Sequence, residues 1–532
     1  MNLGLRLEYE LGATERYNRM ITNLDPNARL PITDAAQAAY ARSPIPELDS
    51  SKFVVMGGSL YAGIGGRNRQ LWQNEVMWLP RVSAAYQITP KTVIRAGYGL
   101  FYDTLNVLNQ GADQTGYSRT TSTTITTDSG ATWLVGNPKG GIPPMADPFP
   151  VRADGTRFDQ PTGNALGLMA RAGRGWNFTD FDYKHARLQR WRFGIQRQLD
   201  GDTTIEVAYV GERAGQIPLS KSLSPLPAQY WATGMVRDTA VTSNMTQNVT
   251  NPFRITNFAS LQTGDPLQYW NLGTMGFFTG STIQKNVLLR PFPQMNGLTQ
   301  NNAPLGKSRT DSLQLTVQRR FAKGFNLNLG YTRMHARAAD FLYSEFDSEP
   351  TWRESNDARP HRLVAGGIYE LPFGKGRAFV KQGILSYVVG GFQVAATYEW
   401  EPGSLLNWGN LFYYGKLSDI GQGPHTLDEW FNTDNFERVS SKMPASYQVR
   451  VFPTRVDGVR ADMTNQWNTN IQREFKLKES IALQLRVDAL NLQNRTQFGA
   501  PNVSPASTDF GRVTSQSNAT KRFIQVQARL RF

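Results

Sequence analysis

The sequence predicts an all-β protein: an antiparallel transmembrane β-barrel wall of about twelve strands, with long loops gathered at one end. Three observations predict it. The last nine residues, Ile524-Gln525-Val526-Gln527-Ala528-Arg529-Leu530-Arg531-Phe532, alternate apolar and polar side chains without a break. That period of two gives a strand one apolar and one wet face, and about nine to eleven tilted residues cross a bilayer. Similar segments recur along the chain, separated by connections that are alternately short and long. No run of 18 apolar residues occurs, as a membrane-spanning helix would need; the most apolar stretch, residues 383–392, is short and broken by Ser386 and by Gly383, Gly390 and Gly391.

The elements follow in order. Leu3, Leu5, Leu7 and Tyr9 mark the first strand. Val82, Ala84, Tyr86 and Ile88 mark the second, and the turn Thr89-Pro90-Lys91 leads to the third, with Ile94, Ala96, Tyr98, Leu100 and Tyr102. Trp191, Phe193, Ile195 and Leu199 form the fourth; across Asp200-Gly201-Asp202, Ile205, Val207 and Tyr209 form the fifth. Leu313, Leu315 and Val317 alternate with Gln314, Thr316 and Gln318 in the sixth, and Ala322-Lys323-Gly324 turns into Phe325, Leu327, Leu329 and Tyr331. Residues 362–371 and 391–400 continue the pattern. Trp467, Ile471 and Phe475 mark the tenth strand, the turn Lys478-Glu479-Ser480 leads to Ile481, Leu483, Leu485 and Val487, and the terminal segment is the twelfth.

The long connections fall at about 11–79, 103–188, 212–311, 334–361, 401–465 and 491–521. The connection over 372–390 is of moderate length. Outer-membrane barrels have short periplasmic turns and long extracellular loops. The long connections are therefore assigned outside and Phe532 to the periplasmic end. Structureless loops of such length are uncommon, so hairpins and partial order are expected in them; Phe53-Val54-Val55-Met56 is read as part of an extracellular hairpin over 53–61. Stretches such as Thr120-Thr121-Ser122-Thr123-Thr124 and Ile142-Pro143-Pro144 give these loops their polar, turn-rich character.

Composition agrees. A chain of 532 residues has room for several soluble domains or one large barrel. Its 48 glycines and 11% aromatics, with a mean hydropathy of only −0.44, favour the barrel, in which only alternate residues meet lipid. Without cysteine there are no disulfides and no Cys-ligated structural zinc, and export is compatible with that. The net charge of +14 could attract anionic partners such as lipopolysaccharide phosphates. Lys and Arg are scattered with no run of four, which argues for a basic wall and solvated loops and against nucleic acid. Strand-like Asn2-Leu3-Gly4-Leu5 follows Met1 at once, without a leader pattern. Since an outer-membrane protein must be secreted, either its leader has been removed or the chain is an internal-to-C-terminal piece; it is read as the second.

Ordered phrases along the chain carry a family resemblance: Pro80-Arg81-Val82-Ser83-Ala84-Ala85-Tyr86, Gly97-Tyr98-Gly99-Leu100-Phe101-Tyr102-Asp103, Asn356-Asp357-Ala358-Arg359-Pro360-His361-Arg362, Glu370-Leu371-Pro372-Phe373-Gly374-Lys375-Gly376, Trp430-Phe431-Asn432-Thr433 and Gln497-Phe498-Gly499-Ala500-Pro501-Asn502. Together they resemble the barrel of Oar-like TonB-dependent outer-membrane transporters. The resemblance covers nearly the whole chain, 1–532. It implies a β-sandwich, a plug and a roughly 22-stranded barrel, of which this chain holds the C-terminal part, without sandwich or plug. Twelve strands ending at Phe532 would be strands 11 to 22, and strand 11 runs outward, as the loop lengths require of the first strand here.

The resemblance further implies a bacterial outer-membrane location and contact with lipid and lipopolysaccharide. The barrel assembly machinery would recognise the terminal strand, with Phe532, Leu530 and Val526 as the signal. The TonB system would act only through the missing N-terminal part. The solute would be bulky (an oligosaccharide, a peptide or a metal chelate), bound by outer loops and passed through the lumen without chemical change. Rival readings are an adhesin or structural barrel, or a barrel enzyme.

No enzymatic site or cofactor is predicted. His185, His335, His361 and His425 are dispersed without metal-ligand spacing, and no Gly-x-Ser-x-Gly elbow occurs. Asp357, Arg359 and Arg362 are read as a charge cluster at the barrel rim. Glu206, Glu399, Glu474 and Asp488 are expected to face the lumen and pair with inward arginines such as Arg192, Arg486, Arg529 and Arg531. Trp191, Trp400 and Trp467 are expected in interfacial girdles. Any aromatic platform for solute is sought in the loops, at Trp133, Trp176, Trp231, Trp270, Trp408 or Tyr413-Tyr414.

Overall fold

The computed structural model describes the chain except residues 67–68, 105–110, 133, 135–147, 150, 154, 479 and 518–520. Trp133, Ile142-Pro143-Pro144 and Glu479 thus lie outside the described residues. Twelve strands form a sequential antiparallel meander: β1 (Asn2–Glu10), β2 (Glu75–Thr89), β3 (Thr92–Tyr102), β4 (Arg187–Gln198), β5 (Thr203–Ser222), β6 (Leu298–Ala322), β7 (Phe325–Ala339), β8 (His361–Glu370), β9 (Phe392–Glu401), β10 (Thr464–Lys476), β11 (Ala482–Leu490) and β12 (Phe523–Arg531). Two three-residue strands join its side, Trp176–Phe178 along β6 and Trp352–Glu354 along β7. Among the described residues β1 pairs only with β2 and β12 only with β11, so the sheet does not close on itself.

Register separates the two faces. One cross-strand row runs Tyr86, Ile94, Ile195, Val207, Leu315, Tyr331, Leu363, Trp400 from β2 to β9. Another runs Phe325, Tyr369, Val394, Ile471, Val487, Val526 from β7 to β12. Both lie on the same face, since their members on β7, β8 and β9 are six residues apart and side chains alternate. The opposite face carries the row Glu370, Gln393, Gln472, Arg486, Gln527. Here Gln472 donates to Gln393 at 3.1 Å, and Gln393 donates to Glu370 at 3.1 Å. An apolar belt backed by a hydrogen-bonded polar ladder is the division a barrel wall between lipid and water requires.

Aromatics mark the belt's two edges. Trp191, Trp400 and Trp467 lie near the strand ends that lead into long connections. Phe325, Tyr369, Phe392 and Phe475 lie near the short turns. Trp467 stacks on Tyr398 with centroids 4.4 Å apart. Trp191 lies over Gly211, where an added Cβ would meet the indole at 2.3 Å, so only glycine leaves the ring its seat.

The alternation of connections holds except around β8, where the connections before and after it (340–360 and 371–391) are equal in length, and the strands reach further than the alternating pattern indicates. β5 has 20 residues and β6 has 25, about twice what a membrane crossing needs. Their outer halves stay paired through register shifts at Gln300, Ala303 and Gly306. Segments expected as loop within 212–311 and 334–361 are therefore partly strand, because bulges and polar residues hide the dyad pattern there while the backbone still pairs. At the opposite end, Lys323 and Gly324 both take positive φ (53° and 77°), the conformation of a tight two-residue hairpin.

The connection between β8 and β9 holds a short helix, Ile384–Val389, instead of a plain turn. Its side chains Ile384, Leu385, Tyr387 and Val388 are exposed, Ile384 by 84%. Beside it, Arg473 projects from the apolar face, in register with Phe392 and Leu485. Its guanidinium lies over the Phe392 and Phe475 rings and donates to the Val388 carbonyl at 2.6 Å. Apolar side chains continuous with the belt and beside a snorkelling arginine fit a headgroup boundary of the bilayer. Because the chain has no cysteine, Leu385→Cys gives a single labelling site. A fluorophore there is expected to emit at shorter wavelength and to be quenched by nitroxide lipids, while one at Lys375→Cys stays water-like. Equal, water-like emission at both sites would place the helix in solvent.

Candidate functional site

The long connections fold together rather than extending as loops. Leu30, Ile32, Tyr40, Phe53, Met169, Leu226, Phe253 and Phe278 belong to one buried cluster, drawn from the β1–β2, β3–β4 and β5–β6 connections. Residues 56–61 pair with 21–29 as a two-stranded sheet, which places the expected hairpin arm. Helix α1 (Thr33–Ala41) is anchored by Thr33, whose hydroxyl donates to the Val55 carbonyl at 2.7 Å, and by Tyr40 stacked on Phe53. Helix α2 (Thr239–Thr246) is capped by Asp238, and α3 (Pro266–Gly273) by Asp265 with Pro266 at its first position. A second cluster, around Trp408, Tyr413, Phe431, Phe436, Phe452 and Phe510, joins the β9–β10 and β11–β12 connections. Burying these aromatic surfaces offsets the entropy of ordering so much connecting chain.

Ion pairs tie the connections to one another. Lys285, almost buried, donates to Glu47 at 2.9 Å and Asn244 at 2.6 Å. Burial works against the Glu47 carboxylate, but hydrogen bonds from Lys285 and from the Asn244 amide, 3.1 Å away, outweigh it and hold its pKa below the ordinary glutamate range. Arg290 grips Glu345 through two bonds, 2.9 and 3.0 Å.

At the outer end of β1 and β2, Glu10 and Glu75 stand directly opposite each other. His185, 1% exposed, sits between them, with Nε2 3.1 Å from Glu10 and Nδ1 2.5 Å from Glu75. No local motif announces this clasp, since its members lie 65 to 175 residues apart in sequence. Among the described residues no group of three His, Cys, Asp or Glu is arranged to hold a metal ion.

Of the rim cluster, Arg362 meets Glu399 at 2.8 Å and Glu401 at 3.3 Å, and Arg359 lies 3.6 Å from Glu401. The acids come from β9, the neighbouring strand. Asp357 is exposed, its amide donating weakly to Ser355, so cross-strand register and not sequence proximity selects the partners. On the polar face, Arg192 bonds Glu206 at 2.6 Å, Arg486 bonds Asp488 at 2.6 Å and Arg531 reaches Glu474 at 3.3 Å. In the terminal strand, Leu530 pairs with Leu483 and Val526 with Val487 on the apolar face, while Arg529 pairs with Gln484 on the polar one; Phe532 follows the strand, 88% exposed.

The loop aromatics divide. Trp176, Trp408 and Tyr413 are 1%, 3% and 5% exposed and belong to the buried clusters, so they are core and not a platform. Trp176 is flanked by Gly, Arg and Asn, which mark no core, whereas Trp408 and Tyr413 lie in the apolar-rich stretch 405–414. Trp231 packs edge-on against Phe346 and Tyr447. Tyr414 and Trp270 remain accessible. Arg119 lies over the Trp270 ring, 3.9 Å from its centroid.

Arg119 also lines a polar cleft of about 350 Å³, formed where residues 115–120 pass 162–174 and α3. The strap is held by the Gly163 amide donating to Gly116 O at 2.8 Å and by the Tyr61 hydroxyl donating to Thr115 O at 2.7 Å. Gly116 has φ +96°, and an added Cβ would lie 2.1 Å from the Gly163 oxygen, so a side chain there would break the cleft wall.

A model of the family described as "Outer membrane beta barrel domain" matches residues 1–525. A comparison with curated protein sequences found no match. Solved structures similar to this chain include the outer membrane transporter YddB from Escherichia coli, at 11% identity and a TM-score of 0.37, covering 89% of this chain and 42% of that one. The siderophore receptor PiuA from Acinetobacter baumannii is similar at 9% identity and 0.37, covering 89% and 39%. The ferric-catecholate import receptor Fiu from E. coli is similar at 9% and 0.34, covering 90% and 37%. The chain thus spans less than half the length of each of these proteins.

Proposed function

The chain belongs to the outer membrane beta-barrel domain family, and from that premise we propose that it is the barrel wall and outer binding surface of an Oar-like TonB-dependent transporter. In this reading the twelve strands are the C-terminal part of a larger barrel. The plug and the segment that contacts TonB belong to an N-terminal part, which pairs with the free edges of β1 and β12. Unpaired strand edges in lipid cost several kcal/mol per group, so such a partner would complete the wall. The outer connections capture a bulky solute, and energy passed through TonB releases it into the lumen.

The observation that carries the reading is the division of the chain into a two-faced wall and a folded cap at one end only. A simple pore needs no cap with two aromatic cores of its own. Uptake tests it: in the source bacterium, loss of this chain should reduce accumulation of its solute about as much as loss of TonB or collapse of the proton gradient. Accumulation that survives both treatments would remove the transport reading and leave an adhesive or structural barrel.

A further inference from the structure

We propose that the cleft between residues 115–120, 162–174 and α3 binds a carboxylate-bearing saccharide, a uronic-acid oligomer, as the captured solute; the role as solute rests on the transport reading, the binding itself does not.

The cleft is rich in hydrogen-bond donors. Arg174 and the Asn271 amide line it, and neither side chain makes a hydrogen bond or ion pair among the described residues. Asn271 is 3% exposed, so its amide is screened from bulk water on every side but the cleft. Ser118, Thr120 and Thr162 add hydroxyls.

Charge there is unbalanced. Arg171 is neutralised by Asp113, with Nε 2.8 Å from Oδ2. Asp159 is shared between Arg152 at 2.8 Å and Arg119 at 3.8 Å. Among the described residues, four arginines around the cleft (Arg119, Arg152, Arg171 and Arg174) thus face two aspartates. The strain registers at Arg174, whose pKa is held below the usual arginine value by partial burial and then by Arg171 and Arg119. A carboxylate between Arg119 and Arg174 would relieve that repulsion and gain charge-assisted hydrogen bonds.

The rest of the lining chooses among anions. Hydroxyls and an amide can both donate and accept, which suits sugar hydroxyls. The volume, about 350 Å³, is at the small end of ligand pockets and fits one or two rings of a longer chain.

Titration of the detergent-solubilised full chain with trigalacturonate, maltotriose and inorganic sulfate tests this. Trigalacturonate should bind at least about tenfold more tightly than maltotriose, and Arg174→Gln should weaken it by about tenfold or more without changing maltotriose binding. Asn271→Asp, which adds a negative charge at the same wall, should weaken it further. Should Arg174→Gln misfold, Ser118→Asp at the accessible side carries the same expectation. Sulfate competing as well as trigalacturonate would overturn the saccharide assignment, as would equal binding of both sugars or no binding at all. Binding lost in Arg174→Gln but uptake absent in cells would sink transport and leave the cleft standing; uptake unaffected by Arg174→Gln would sink the cleft as the capture site.

Discussion

His185→Ala is expected to cost about 3–5 kcal/mol, the usual consequence of removing one partner from a buried ionic cluster. The substitution leaves Glu10 and Glu75 facing each other in register with nothing between them. β1 has a single neighbour in the sheet, so the loss should appear as loosening of its outer end. Amide exchange at Tyr9 and Glu10 should accelerate, and the urea midpoint should fall. Adding Glu75→Gln should restore much of the loss, because the remaining acid then has a neutral hydrogen-bonding neighbour. Unchanged exchange at Tyr9 in His185→Ala would show that the histidine is a spectator between the two acids.

Val526→Arg is expected to cost about 2–4 kcal/mol in a bilayer, the penalty of a cation on the lipid face near the midplane. Val526 ends the apolar row that begins at Phe325, in the middle of β12. Its neighbour Gln525 pairs with Asp488 on the polar face, so Gln525→Arg should cost within about 0.5 kcal/mol or be neutral. Urea unfolding from phospholipid vesicles measures both. A reversed order of the two costs would turn the sheet inside out and overthrow the membrane assignment.

The strands were legible in the sequence because each carries its own record. Alternation in Ile524 to Phe532 needs no knowledge of the rest of the chain, and the short turns at Pro90-Lys91 and Lys323-Gly324 fix which strands are neighbours. Even the inward ion pair of Arg192 and Glu206 follows from parity alone. The outer halves of β5 and β6 were not legible, since Gly306 and the bulges around it break the period. Nor was the helix at Ile384–Val389, whose six residues are too few for a helical period to stand out.

The site lies almost wholly in the second category. Asp357 stands near Arg359 and Arg362 in sequence, yet register delivers Glu399 and Glu401 instead. Trp176 sits in a polar, loop-like stretch and becomes core only because other connections fold over it; Trp408 lies in an apolar-rich stretch, but its sequence does not say which connection it packs against. The sequence by itself determined a two-faced wall of twelve strands, its order and its lipid side, because period and turn chemistry act between neighbours along the chain. Tertiary structure alone decided the cap, the histidine clasp and the arginine cleft. Each joins residues tens to hundreds of positions apart, and no local preference of the backbone records which distant segments will share a core.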